Sequence, residues 1–270
     1  MRKLLTFFVL SNLYVSFCVA TLAFSFQYIY SSFNINVILF LFASTFMSYN
    51  FHRIIIVNNN HKHKRRKWVL ENYNYLRLVS VFSILIMIVV FFKFQRLTQV
   101  LVLIISLISF LYPYFLRKIP YIKIFVIAFV WAFCTNILTF VENSIVIDRQ
   151  IFISFFKTFL FVIAITIPFD IRDIRFDDLK MKTLPIVFGS VKSKKIAITL
   201  LCLCLLISVF EYLVFDFKIY LFISFFSSYI YSQYLIRFSS EQKEDWYFSF
   251  FVESASLSLL VFLIITSNFL

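Results

Sequence analysis

The chain has 270 residues, of which 62% are hydrophobic and only 14% are charged, so a soluble fold of this length would lack the polar surface to cover itself. Its single glycine and 40 phenylalanines exclude collagen-like and flexible low-complexity proteins. We therefore expect an integral membrane protein, in which the formal net charge of +13 reflects orientation in the bilayer.

Apolar stretches of about 20 residues, the length that crosses a bilayer as a helix, recur along the whole sequence. They predict an all-α, polytopic bundle of about nine transmembrane helices that forms one domain over residues 1–270. The basic start resembles a secretory signal, but the apolar run after it is too long for one, so it is taken as the first span. The predicted spans are 4–30, 34–57, 77–95, 98–116, 121–141, 150–169, 194–214, 219–238 and 246–268.

Basic residues lie mostly in the connections that follow the even-numbered spans. The clearest connection, 58–76, carries a basic run at 62–67. In a soluble protein such a run would attract nucleic acid, but beside a membrane helix it marks the cytoplasmic side. Connections after even-numbered spans lie on the same side of the membrane as the N-terminus, so we expect a cytoplasmic N-terminus. We also expect contact with membrane lipid and no nucleic-acid partner.

The segment after the sixth span, 167–189, contains a cluster of aspartates. Asp170, Asp173 and Asp177 fall on one face of a helix at 3.6 residues per turn. Carboxylates this close repel one another unless a cation lies between them, and their hard oxygens suit Mg²⁺, which fills its remaining positions from phosphate and water. The spacing alone leaves another interpretation open, a solvated loop in which these aspartates pair with neighbouring arginines and lysines.

The single glycine, Gly189, closes this segment after the sequence Lys-Thr-Leu-Pro at 182–185. A chain that avoids glycine everywhere else is expected to need it here for backbone reasons. We predict either a positive φ or a close approach between helices.

The segment resembles the second aspartate-rich motif of the UbiA superfamily of intramembrane prenyltransferases, which has the form D-x-x-D-x-x-x-D followed by K-T-L-P…G. The match here is Asp170, Asp173 and Asp177, then 182–185 and Gly189. A second patch agrees, because the sequence YPYFLR at 112–117 is similar to the Y-P-x-x-K-R segment of that family at the end of its fourth helix.

The resemblance implies a nine-helix enzyme that transfers a polyprenyl group from an allylic diphosphate to a lipid-soluble, electron-rich and typically aromatic acceptor. It further implies that Mg²⁺ offsets the negative charge on the departing diphosphate. By the same resemblance, Asp173 and Asp177 are the principal catalytic metal ligands and Asp170 supports them. Arg117 and Lys182 are expected to contact the diphosphate.

One part of the family pattern is missing. The first aspartate motif, N-D-x-x-D-x-x-x-D, is expected at the end of the second span, yet no Asp or Glu occurs from Met1 to Leu70. Asn50, His52 and Arg53 lie where the motif would be, and we expect them to bind substrate instead, with Arg53 contacting phosphate directly. The alternative is a polar helix end that only anchors at the membrane interface.

Three classes of function follow from these observations. The first is the prenyltransferase. The second is a catalytically impaired relative that binds isoprenoid lipid or a partner without turnover, which the missing motif favours. The third, a transporter, would show two repeated halves with charges at the bilayer midplane, and no such symmetry is seen. Glu253, inside the last span, is expected to face a partner or a cavity because it is ionisable at membrane depth.

Overall fold

The computed structural model describes residues 2–59, 66–175, 181–215 and 217–269. Over these residues the fold is all-α, as predicted, and contains no β-strand. The helices are α1 (Arg2–Leu10), α2 (Leu13–Ile29), α3 (Ile35–Asn59), α4 (Arg66–Glu71), α5 (Tyr73–Phe91), α6 (Arg96–Leu111), α7 (Ile122–Glu142), α8 (Arg149–Asp173), α9 (Leu184–Val214), α10 (Ile219–Arg237) and α11 (Tyr247–Phe269).

The helices fit a membrane protein by length and composition. Among the described residues, seven helices are long and apolar enough to cross a bilayer, and α2 and α6 are apolar but shorter. These helices correspond to the nine predicted spans. Their outward faces carry large apolar side chains such as Phe82, Leu107 and Leu213, which lipid covers in place of water. The predicted polytopic bundle is confirmed.

The first predicted span is broken, which the apolar pattern did not reveal. Helix α1 ends at Leu10, α2 begins at Leu13, and Asn12 between them has a left-handed φ of 71°. Asparagine tolerates this conformation better than most residues. Here its side chain also donates to Oδ1 of Asn50 at 2.9 Å, so a contact with α3 holds the break in place.

Other boundaries also differ from the sequence prediction, and three of them bear on the connections and the aspartate motif. The short helix α4 lies within the predicted polar connection. Helix α8 continues through Pro168 to Asp173, so the aspartate motif begins inside the helix and not after it. Helix α9 begins at Leu184, earlier than predicted, with Pro185 in its first turn, where the missing N–H of proline has no cost.

Gly189 interrupts α9 with φ 77° and ψ 161°. This confirms the predicted positive φ. A Cβ at Gly189 would meet no atom within 4 Å, so the backbone conformation, and not a close approach between helices, explains why glycine is found there.

The long helices pack in sequence order around the bundle. Helices α7, α8, α9, α10 and α11 each pack on the next, α11 packs on α2, and α2 packs on α3. Helix α5 packs on the other side of α3. The main core lies between α2 and α8–α11, built on side chains such as Phe26, Ile163, Leu201 and Leu259. The space left between α3, α6, α7 and α8 holds the candidate site.

Candidate active site

A cavity of about 740 Å³ is lined by residues from α1, α2, α3, α5, α6, α7, α8 and α11. Its deeper part is apolar, and its volume lies in the range of small-molecule sites. Because neighbouring helices alternate in direction, the C-terminal ends of α3, α6 and α8 meet the N-terminal ends of α7 and α11, and the charged lining residues collect at this mouth. The apolar lining includes Val15, Val19, Leu41, Met87, Val102, Ile105, Val130, Trp131, Leu138, Val162 and Ile165.

The aspartate motif forms one wall of the mouth. Asp170 and Asp173 both line the cavity, as their spacing on one helix face predicted. The side chain of Asp170 is 2% exposed, and the Nζ of Lys123 lies 2.7 Å from its Oδ1. Arg172 donates from Nε and Nη2 to the two oxygens of Asp173 at 2.7 and 2.8 Å, a bidentate geometry that fixes both groups. Asp177, the third predicted ligand, lies outside the described residues.

Arg172 is also held by α11 and by aromatic rings. Its guanidinium lies 5.3 Å from the ring centroid of Phe169 and 5.7 Å from that of Phe248, distances that allow cation–π attraction. Asp245 and Glu253 are within electrostatic range of this guanidinium, and both line the cavity. The cavity-facing position predicted for Glu253 is therefore observed.

Residues from α3 form the opposite wall. His52 and Arg53 line the cavity. The ring Nε2 of His52 lies 3.0 Å from the carbonyl oxygen of Ser109. The guanidinium of Arg53 donates to the carbonyl oxygen of Leu10 and to the side-chain oxygen of Asn12. Two neutral acceptors at the break between α1 and α2 therefore help to orient the guanidinium of Arg53.

Asn50 has a different position from its two neighbours in the predicted substrate set. It is 1% exposed and is not among the residues that line the cavity. Its Nδ2 donates to the carbonyl oxygens of Ser11 and Phe46, each at 3.0 Å. Its observed contacts therefore hold α3 against the α1–α2 break, and a direct contact with substrate stays a prediction.

The two other residues predicted to bind diphosphate, Arg117 and Lys182, also differ in position, because only Arg117 lines the cavity. Arg117 lines the cavity from a 3₁₀ turn, Leu116–Lys118, whose backbone folds back on Tyr112 through a hydrogen bond of 2.8 Å. Lys182 is exposed, with φ 46°, and is not among the lining residues. Its contact with diphosphate stays a prediction that this arrangement does not support.

Sequence reasoning missed Lys123 and Asp245 as site residues. Each is a charged residue at or next to the start of a predicted span, on the same membrane face as the aspartate motif. That position could have marked both as site residues, but charged residues at the ends of spans are also ordinary membrane anchors.

Comparisons with known proteins agree with this architecture. A family model described as the UbiA prenyltransferase family matches residues 69–257, a range that begins after His52 and Arg53. No curated protein sequence matches the chain. Among solved structures, a UbiA homolog from Archaeoglobus fulgidus bound to GPP and Mg²⁺ aligns with a TM-score of 0.69 at 11% identity, covering 97% of this chain and 99% of that one.

Two further structures give the same result. A UbiA homolog from Aeropyrum pernix K1 aligns with a TM-score of 0.65 at 9% identity and covers 97% of both chains. A structure from work on digeranylgeranylglyceryl phosphate synthase aligns with a TM-score of 0.60 at 17% identity and covers 100% of both chains. At these identities the likeness shows a shared fold.

Proposed function

The chain belongs to the UbiA prenyltransferase family, and from this premise we propose that it transfers a polyprenyl group from an allylic diphosphate to a lipid-soluble, aromatic acceptor within the membrane. The observation that carries the proposal is the cavity itself, in which a charged mouth opens onto an apolar interior. A prenyl diphosphate donor fits this cavity because its anionic head matches the charged mouth and its hydrocarbon tail matches the apolar interior.

In this proposal the diphosphate lies at the mouth, and the prenyl chain extends past Val130 and Val102 into the interior. Three guanidinium groups line the mouth, on Arg53, Arg117 and Arg172. Guanidinium groups bind phosphate oxygens in a bidentate geometry and stay charged at any physiological pH. These contacts would be strong because the surrounding dielectric is low.

The donor set at the mouth fits one Mg²⁺. Among the described residues no group of three or more His, Cys, Asp or Glu side chains is arranged to hold a metal. Mg²⁺, however, is commonly held by one or two carboxylates together with substrate phosphate and water. Asp170 and Asp173 supply two such carboxylates, and we propose Asp177 as a third ligand. Bound there, the ion would neutralise charge on the departing diphosphate.

The chain's own residues prepare this reaction in two ways. Lys123 and Arg172 pair with Asp170 and Asp173, which fixes the positions of both carboxylates. The apolar interior excludes water, which would otherwise capture the allylic carbocation formed when the C–O bond to diphosphate breaks. The acceptor forms the new C–C bond and loses a proton.

Diphosphate release from labelled donor tests the proposal. Membranes that contain the chain would be incubated with labelled geranyl diphosphate, Mg²⁺ and a panel of lipid-soluble aromatic acceptors. We expect acceptor-dependent release, because the cation formed at the mouth needs a carbon nucleophile. Release no higher than from the Asp173→Ala variant would refute the proposal.

A second candidate is a relative that binds a prenyl diphosphate without turning it over. Two observations favour it: no acidic residue occurs in residues 1–70, and both described carboxylates of the motif are in ion pairs. Tight binding of a non-hydrolysable geranyl diphosphate analogue together with no turnover of any acceptor would distinguish this candidate from the enzyme.

We also propose that the mouth opens on the cytoplasmic side, with the N-terminus on the same side. The proposal is supported by the excess of basic residues in the connections there. A reporter fused to the N-terminus that is active only in the cytoplasm provides the test, and activity only on the opposite side would contradict the orientation.

A further inference from the structure

The two walls of the mouth differ in the carboxylates they offer. Helix α8 contributes Asp170 and Asp173 together with Arg172, whereas α1, α2 and α3 together contribute a single charged residue to the described lining, Arg53. The sequence offers no acidic alternative, since residues 1–70 contain no Asp or Glu. A metal ion on the α3 side would therefore have no carboxylate ligand from these three helices.

Arg53 is held by the break between α1 and α2. Helix α1 ends at Leu10, so the carbonyl oxygen of Leu10 lacks the partner that a continuing helix would provide. Arg53 donates to that oxygen and to the side-chain oxygen of Asn12. The guanidinium therefore satisfies groups that the break leaves open and is fixed in direction by them.

Asn50 supports this arrangement from one turn earlier on α3. It accepts from Nδ2 of Asn12 at 2.9 Å and donates to the carbonyl oxygen of Ser11 at 3.0 Å. The amide of Asn12 is thereby oriented so that its oxygen faces Arg53. A chain of hydrogen bonds from buried Asn50 through Asn12 to Arg53 ends at the cavity.

We propose that Arg53 is a fixed cation that binds the donor's diphosphate directly, in the position where a metal ion on the α3 side would otherwise act, and that Asn12 and Asn50 are positioning residues for it. The proposal rests on the proposed function, because it assumes a diphosphate at the mouth. A guanidinium is always charged and presents a rigid donor fork to phosphate. Its charge stays in the cavity whether or not Mg²⁺ is present.

Two consequences distinguish this site from one that depends on two metals. Binding of a prenyl diphosphate should depend on free Mg²⁺ with a Hill coefficient near 1, because only the α8 wall holds an ion. In EDTA, binding should weaken but stay measurable, since Arg53 still neutralises part of the phosphate charge. The remaining affinity should depend on Arg53.

The test measures binding of geranyl diphosphate and of geraniol to the purified full chain in lipid nanodiscs, with Mg²⁺ titrated or removed by EDTA. We expect Arg53→Gln to weaken geranyl diphosphate binding at least tenfold, with Arg53→Lys intermediate because it keeps the charge but loses the fork. Geraniol, which lacks the phosphates, should bind all variants equally. Arg96→Gln, at the exposed start of α6, is the matched control.

The positioning role has its own variant, Asn12→Gly, because glycine accepts the left-handed φ of that position but cannot orient Arg53. We expect a loss of geranyl diphosphate affinity of several-fold with no change for geraniol. Arg53 variants within twofold of wild type, or Mg²⁺ dependence with a Hill coefficient near 2 and no binding in EDTA, would overturn the inference. Absence of geranyl diphosphate binding by the wild-type chain at every Mg²⁺ concentration would instead overturn the proposed function.

Discussion

Helix α8 takes part in ion pairs in two very different settings. Toward its N-terminal end, Lys157 pairs with Glu211 of α9, and the two side chains are 1% and 4% exposed. Lys157 also lies 3.7 Å from the ring centroid of Phe225. Toward its C-terminal end, Asp170 and Asp173 pair with Lys123 and Arg172, and all four residues line the cavity.

The difference shows that burial of charge does not by itself identify a functional site. The Lys157–Glu211 pair is enclosed by helices and aromatic rings and does not line the cavity, so a ligand in the cavity would not contact either partner. The pairs at the mouth line the cavity, where the proposed function has a phosphate or a cation exchange with a partner already present. We therefore expect one end of α8 to stabilise the bundle and the other to take part in the proposed chemistry.

The largest effect on stability is expected from breaking the enclosed pair. Lys157→Met leaves Glu211 buried without its partner, which should lower the free energy of unfolding by about 3–5 kcal/mol. The double variant with Glu211→Leu should recover most of this loss because no charge remains buried. Thermal unfolding in detergent measures both. A single variant as stable as wild type would mean that the pair does not stabilise the bundle.

At the other end of the helix, a single substitution should affect activity far more than folding. Asp173→Asn removes a charge at the mouth and should lower prenyl transfer about 100-fold, with a smaller effect on stability than Lys157→Met because its side chain is 29% exposed. Steady-state kinetics and thermal unfolding separate the two effects.

A matched control for Asp173 lies at the opposite end of α8. Asp148 caps this helix by accepting from the backbone N–H of Ile151 at 2.9 Å, and asparagine caps a helix equally well. Asp148→Asn should therefore leave activity unchanged. Equal losses of activity in Asp148→Asn and Asp173→Asn would show that the effect belongs to the helix and not to the mouth.

A smaller change is expected from filling the apolar interior. Val130 lines the cavity, and Val130→Phe should place its ring in the space assigned to the prenyl tail. We expect affinity for long prenyl diphosphates to fall about tenfold and affinity for geranyl diphosphate to fall less. Val209→Phe, on the exposed face of α9, is the control. An equal loss for short and long donors would place the tail elsewhere.

The smallest effect is expected far from both ion pairs. Gly189→Ala forces a Cβ into a backbone conformation that is nearly specific to glycine, which should cost about 1 kcal/mol of stability, because no neighbouring atom adds a clash. Thermal unfolding beside Ser190→Ala measures the cost. Stability unchanged in Gly189→Ala would indicate that the kink is not needed.

Local patterns predicted the spans because hydropathy is a property of each segment. The shared position of Asp170 and Asp173 on one wall of the mouth was also predictable, since residues three apart lie on the same helix face whatever the rest of the fold. The break after Leu10 was not, because the left-handed Asn12 is held by Asn50, 38 residues later in the sequence. Lys157 and Glu211 were overlooked for the same reason: each is a single charge inside an apolar span, and only the fold pairs them.

Residue type also failed to predict orientation. Asn50, His52 and Arg53 were predicted as one substrate-binding set, yet of these three only His52 and Arg53 line the cavity, because Asn50 is buried against the break between α1 and α2. Lys182 was predicted from its place in the Lys-Thr-Leu-Pro segment, but the residues just before α9 carry it to an exposed position. A sequence motif gives the order of its residues along the chain, but the path of the backbone decides which of their side chains reach the cavity.

The proposed position of the donor in the cavity is tested most directly by an experimental structure of the chain with a non-hydrolysable geranyl diphosphate analogue and Mg²⁺. We predict the diphosphate between Arg53 and the carboxylates of Asp170 and Asp173, with the geranyl tail against Val130 and Trp131. An analogue bound outside this cavity, or a diphosphate within it that contacts neither Arg53 nor the aspartate wall, would contradict the account.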